Sequence, residues 1–180
     1  MSDKTKLLIV DDEIKFLDSI AKRLEMRGFD VTKAARGKEA LEAAKKGGFD
    51  LALLDLKMPG MDGKEVLRTL KNEHRHIEVI MLTGHGSIDS AVECTRLGAF
   101  SYLSKPYELD NLLEVLRDAY EARLKKKFAS DQKRLAEIAE VANKYEPEAI
   151  LRDARVQMHD RPSFVLALFR ELRNLDDDEK

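Results

Sequence analysis

Short apolar runs alternate with longer segments of helical spacing along the first two thirds of the chain. Leu7-Leu8-Ile9-Val10 is continuously apolar and stops at Asp11-Asp12, as expected of a strand buried on both faces. From Ile14 to Met26 the apolar positions Ile14, Phe16-Leu17, Ile20-Ala21 and Leu24 recur at helical intervals, and Gly28 supplies a C-terminal stop. Val31 to Ala34 predicts a short second strand, Gly37 to Lys46 a helix stopped by Gly47-Gly48, and Leu51 to Leu54 a third strand ending at Asp55. Pro59-Gly60 and Asp62-Gly63 mark a tight loop before a helix over Lys64 to Asn72. Val79 to Leu82 predicts a fourth strand ending at Thr83. Ser87 caps a helix through about Leu97, and Phe100 to Leu103 is a fifth strand ended by Ser104-Lys105-Pro106. A last helix begins near Leu109.

Five strands alternating with five helices, with every connection long enough for a crossover, predict an α/β fold with a parallel sheet covered on both faces. A doubly wound sheet of flavodoxin-like order 2-1-3-4-5 is the natural arrangement for five such units.

Beyond Tyr120 the rhythm changes and no further strand is predicted. Arg123 to Lys127 is a basic stretch, and Ser130 to Lys144 has helical spacing at Leu135, Ile138, Val141-Ala142 and Tyr145. Glu146-Pro147 interrupts that helix. Ala149 to Met158 and Phe164 to Leu175 are further helical candidates, and Asp176 to Lys180 reads as a frayed acidic end. Residues 1–122 are therefore expected to form one domain and residues 123–180 a helical extension. Positions 109, 113, 116, 120 and 124 alternate steps of four and three residues, and Phe128, Leu135, Ile138, Ala142 and Tyr145 resume the seam. No sheet remains to cover the later positions, so the extension is expected to pair with a second copy of the chain or to dock a partner.

Composition removes several alternatives. The 180 residues carry 32 basic and 34 acidic side chains, for a net charge of −2, which predicts no bulk attraction to nucleic acid or to an anionic membrane. From Glu121 onward there are 13 basic and 13 acidic residues, so DNA binding by the extension is not expected. No apolar run is long enough to span a bilayer, and the opening MSDKTKLLIVDDE lacks the length and cleavage site of a signal peptide. Cys94 is the one cysteine, in keeping with a reducing cytoplasm, and is expected to be a half-buried helix residue without chemistry. No GxxxxGK[ST] phosphate loop occurs in the chain, so ATP hydrolysis is unsupported. His159, with Pro162 three residues on, is a poor candidate for a phosphotransfer histidine.

Ligands of an open parallel sheet bind outside the carboxyl ends of its strands. Those ends offer Asp11 and Asp12, Asp55, Thr83 and Lys105. Two carboxylates about 4 Å apart repel by roughly 4 kcal/mol at an effective dielectric of 20, so such a cluster calls for a cation. Mg²⁺ suits it, since that ion takes one or two carboxylates and keeps several waters. With a lysine supplying a second positive charge, one carboxylate oxygen would be left to attack a phosphoryl group and form an aspartyl phosphate.

These residues resemble the response-regulator receiver family of two-component systems. LLIVDDE is similar to its acidic-pair strand, LALLDLKMPGMDG to its phosphoacceptor strand and loop, VIMLTG to its hydroxyl-bearing switch strand, and YLSKP to its lysine-proline signature. The motifs occur in the family's order across residues 5 to about 122. The stretch from Leu82 to Leu113 also resembles receivers of enhancer-binding transcription activators, without their ATPase and DNA-binding modules. The resemblance implies that a sensor histidine kinase phosphorylates Asp55, that Asp12 binds Mg²⁺ directly and Asp11 mainly through water, and that the Lys57 carbonyl is a further ligand. Thr83 would move to the phosphoryl group, Lys105 would pair with it, and Tyr102 would turn inward as the aromatic switch. The Lys105–Pro106 bond would be cis. Signalling would pass to a downstream protein through surface contacts, with autocatalytic phosphorylation and dephosphorylation but no enzyme turnover.

Lys57 and His85, each two residues past a site position, depart from the family's usual acid or amide and are expected to set the lifetime of the phosphoryl group. Asp11 or Asp12 is also expected to cap the helix that starts at Ile14. Two other functions compete: a Mg²⁺-dependent phosphatase with an aspartyl nucleophile, which would want a second Asp where Lys57 stands, and an adaptor with an inert site.

Overall fold

The computed structural model describes residues 4–84 and 87–144, with side chains through 139. The strands are β1 (Lys6–Val10), β2 (Asp30–Ala34), β3 (Leu51–Asp55), β4 (Glu78–Thr83) and β5 (Ser101–Ser104). They alternate with α1 (Ile14–Glu25), α2 (Gly37–Lys45), α3 (Gly63–Glu73), α4 (Ile88–Arg96) and α5 (Leu109–Lys144). All strand pairs are parallel, in the order β2-β1-β3-β4-β5. The doubly wound fold expected from the sequence is the fold observed.

Alternation along the strands assigns the two faces. Leu8, Val10, Ala52, Leu54, Val79 and Met81 pack against α2, α3 and α4 through Ala40, Ala44, Val66, Leu67, Leu70 and Cys94. Leu7, Ile9, Leu51, Leu53, Ile80 and Leu82 pack against α1 and α5 through Leu17, Ile20, Leu24, Leu112, Leu116 and Ala119. Because both faces are covered, β1, β3 and β4 have no solvent side, which is why they read as unbroken apolar runs.

Two local expectations are corrected. Cys94 is fully buried on the sheet side of α4 rather than half-buried, and burial pushes its thiol above the usual range. The N-cap of α1 is Glu13, without a side-chain capping bond, not Asp11 or Asp12. Asp11 Oδ1 instead accepts the Glu13 N–H at 2.9 Å, closing a turn over two residues. Ser87 does cap α4, accepting the Ser90 N–H.

The α5 helix runs unbroken for 36 residues, and residues through Ser130 form the first compact unit of the chain. Leu112, Leu116 and Ala119 are buried on the sheet, whereas Phe128 and Leu135 are 65% and 62% exposed. The features placed at Tyr145, Pro147, His159, Phe164 to Leu175 and the acidic end lie outside the described residues, as does His85. Among the described residues no helix is long and apolar enough to cross a membrane.

Candidate functional site

Register brings the strand ends together. Val10 pairs with Leu54 and Asp55 with Leu82, while Thr83 pairs with Ser104. Asp11 follows β1 and is 2% exposed, Asp55 ends β3 at 8%, and Thr83 ends β4 fully buried. The Lys105 N–H donates to the Thr83 carbonyl at 2.7 Å, which fixes the backbone just past β5 beside the end of β4. The Lys105–Pro106 peptide is cis, as expected.

Lys105 reaches across this edge. Its ammonium donates to Asp11 Oδ2 at 2.5 Å and to Asp55 Oδ1 at 3.3 Å. The other Asp55 oxygen, Oδ2, accepts the Lys57 N–H at 2.9 Å. Burial, the largest influence, holds the Asp55 carboxyl above its usual range; Lys105 pulls it down and the charge of Asp11 pushes it further up. Asp55 is thus a desolvated carboxylate beside a second one, with a single ammonium between them.

The β3–α3 loop is held tightly over Asp55. Gly63 opens α3 so close to it that a Cβ there would lie 2.1 Å from the Asp55 carbonyl oxygen, so no side chain is tolerated at that position. Asp62 and Glu65 form a capping box that fixes the loop's exit.

Thr83 and Tyr102 lie on the other side of the edge. The Tyr102 ring packs against the α2–α3–α4 face, and burial raises its phenol above the ordinary value, with the Thr83 hydroxyl acting in the opposite sense. The ring is therefore already turned toward the core. Of the residues predicted, Asp11, Asp55 and Lys105 meet directly, Lys57 joins through its backbone, and Thr83 flanks them with Tyr102. Asp12 is exposed.

The donor set suits a hard divalent cation. Two buried carboxylates side by side carry more negative charge than one ammonium offsets, and Mg²⁺ needs only one or two carboxylates with waters completing its shell. Among the described residues no three carboxylate, imidazole or thiol groups are gathered closely enough to hold a metal ion.

Sequence reasoning missed two aromatic neighbours. The Lys105 ammonium lies 4.0 Å from the centroid of the Phe16 ring, and Tyr107 stands edge-on to that ring at 6.4 Å and 89°. The available signal was position, since Phe16 falls in the first turn of the helix that follows the acidic pair. A cavity of about 460 Å³ opens beside them, lined by Phe16, Ile20, Arg23, Lys105 and Tyr107 among others.

The sequence matches the family model described as the response regulator receiver domain over residues 7–117. It is 41% identical over 117 residues to the transcriptional regulatory protein YkoG of Bacillus subtilis, covering 65% of this chain and 51% of that one. It is 36% identical over 112 residues to sporulation initiation phosphotransferase F of the same organism, covering 62% of this chain and 90% of that one. The chain thus spans about half the length of the first relative and most of the second. A crystal structure of a CheY-like receiver domain protein from Methanospirillum hungatei superposes with a TM-score of 0.67 at 34% identity, covering 69% of this chain and 99% of that one.

Proposed function

The chain belongs to the response regulator receiver family, and on that premise we propose that Asp55 accepts a phosphoryl group from a sensor histidine kinase and so switches the domain between two states. The observation that carries this reading is the placement of Asp55. It is a buried carboxylate held through one oxygen by the Lys57 N–H and through the other by the Lys105 ammonium.

An Asp55 oxygen attacks the phosphorus and forms the new P–O bond. The bond from phosphorus to the donor breaks, and the donor group leaves with the electron pair. Lys105, already at the carboxylate edge, passes to the incoming phosphoryl oxygens and balances their charge. Thr83 then donates its hydroxyl to the phosphoryl group, which fixes the already inward Tyr102 ring packed beside it. Such a displacement biases a two-state surface around β4, α4 and β5. Asp11, Asp12, Asp55 and the Lys57 carbonyl are the groups that would hold Mg²⁺, which when bound supplies charge neutralisation at the transferring oxygens.

Residues 1–122 are assigned to the receiver and 123–180 to a helical extension that carries the output to a second copy or a downstream protein. A true phosphatase is disfavoured because Lys57, with an exposed side chain, stands where a second acid would be needed to protonate the leaving group.

Intact mass after incubation with acetyl phosphate and Mg²⁺ tests the reading. One added phosphoryl group, absent in Asp55→Asn, is expected. No gain with acetyl phosphate or with a histidine kinase would make the site inert and leave an adaptor role. Continuous release of phosphate from generic esters would instead favour the phosphatase.

A further inference from the structure

Three features surround the Lys105 ammonium. Asp11 Oδ2 is at 2.5 Å, Asp55 Oδ1 at 3.3 Å, and the Phe16 ring centroid at 4.0 Å. An ammonium has three N–H donors, and here two face carboxylates while the third side is closed by an aromatic face. We propose that Phe16 is a positioning residue for Lys105: its ring holds the ammonium between the two carboxylates and so sets how rapidly Asp55 is phosphorylated. This rests on the assignment of Asp55 as the phosphoacceptor and adds to it a residue outside the strand-end set.

The lysine needs such a hold. Its stem is flexible and its head strongly hydrated, and its side chain keeps 20% of its exposure. The unequal distances show that Asp11 competes with Asp55 for the charge. A π-face attracts the cation without neutralising it or fixing it to one oxygen, so the ammonium stays free to pass from the carboxylate to the phosphoryl group.

The ring is itself supported. Phe16 sits in the first turn of α1, half-buried, with Tyr107 edge-on to it. Burial pushes the Tyr107 phenol up to about 12, so it remains neutral and offers no rival anion to the lysine. Aromatic pairs favour this perpendicular arrangement, which steadies the Phe16 ring that lies under the Lys105 ammonium.

Replacing Phe16 in the full chain with phenylalanines of increasing ring fluorination weakens the π-face while nearly preserving shape. The initial rate of phosphorylation by acetyl phosphate with Mg²⁺ should fall stepwise along the series. Phe16→Leu should lose about threefold to tenfold, the size expected for one such contact, and Phe16→Tyr should retain most of the rate. Independently of phosphorylation, the Lys105 side-chain methylene protons should show upfield ring-current shifts by NMR that vanish in Phe16→Leu. A flat rate across the fluorinated series, or unshifted Lys105 signals in the unmodified chain, overturns the proposal. If the unmodified chain takes no phosphoryl group, the phosphoacceptor assignment fails and the rate-setting role falls with it, while the NMR arm still reports whether the ring holds the lysine.

Discussion

Lys126 of α5 places its ammonium on the carboxylate of Glu78, the first residue of β4. Thr83 is the last residue of the same strand, so one end of β4 carries a site residue and the other is tied to α5. A second tie joins Arg123 of α5 to Asp50 at 2.7 Å, immediately before the strand that ends in Asp55. The Glu78 side chain is 2% exposed, and Lys71 also meets it at 3.1 Å.

The two lysines should differ in their effect on stability. Lys71 is largely enclosed, and burial holds its ammonium below the ordinary lysine range. Lys71→Met leaves the buried Glu78 carboxylate facing the exposed Lys126 and is expected to cost about 2–4 kcal/mol. Lys126, 68% exposed, should cost about 1 kcal/mol or less on change to alanine. Urea unfolding of both variants checks this, and equal losses would contradict it.

Stability should carry a signature of Asp55. Its folded-state pKa is raised above the unfolded value of 3.8, chiefly by burial. A raised carboxyl binds its proton more tightly when folded, so the folded state is penalised at neutral pH and relieved as pH falls through the folded pKa toward 3.8. In buffer with chelator, Asp55→Asn should therefore be more stable than the unmodified chain at pH 7, with the gap closing on acidification. A gap that widens toward acid pH would mean that Lys105 outweighs desolvation.

Lys57→Asn should shorten the life of the phosphorylated form. The Lys57 backbone is fixed by its bond to Asp55 while its side chain is exposed, so an amide there would stand near the phosphoryl group. Orienting one water through one hydrogen bond is worth about 1 kcal/mol, or roughly fivefold in rate. Loss of label from purified phosphoprotein measures it, and an unaltered rate would remove Lys57 from the determinants of lifetime.

The apolar seam of α5 should govern association. Phe128 and Leu135 lie well exposed on it, with Ile138 at 39%. Leu135→Asp is expected to lower the solution mass of the full chain toward that of one copy, by analytical ultracentrifugation. A full chain that already sediments as one copy would overturn self-association through the seam.

Much of the fold was legible because of how a doubly covered sheet buries its strands. Leu51 to Leu54 has no solvent face, so its apolar run ends where the sheet ends, and the next residue, Asp55, is at the ligand edge. The N-cap of α1 was misplaced because Asp11, Asp12 and Glu13 are all acceptors in a row. Only the path of the backbone decided that Asp11 turns back onto the Glu13 N–H. Glu78 escaped notice for a related reason: a charged residue at the head of an apolar strand reads as the strand's solvated start, and its burial depends on two lysines brought from other elements.

The sequence by itself determined the strands and the set of side chains at their carboxyl ends, because hydrophobic periodicity and polar stops are local properties of the chain. Tertiary structure alone decided which of those side chains meet. Lys126 lies 48 residues from Glu78, and Lys105 lies 94 from Asp11. The Phe16 ring closes the third side of Lys105 only because α1 and the segment after β5 pack on the same face of the sheet. Contacts between residues so far apart depend on the angles at which helices settle on the sheet, and those follow from the packing of the whole core.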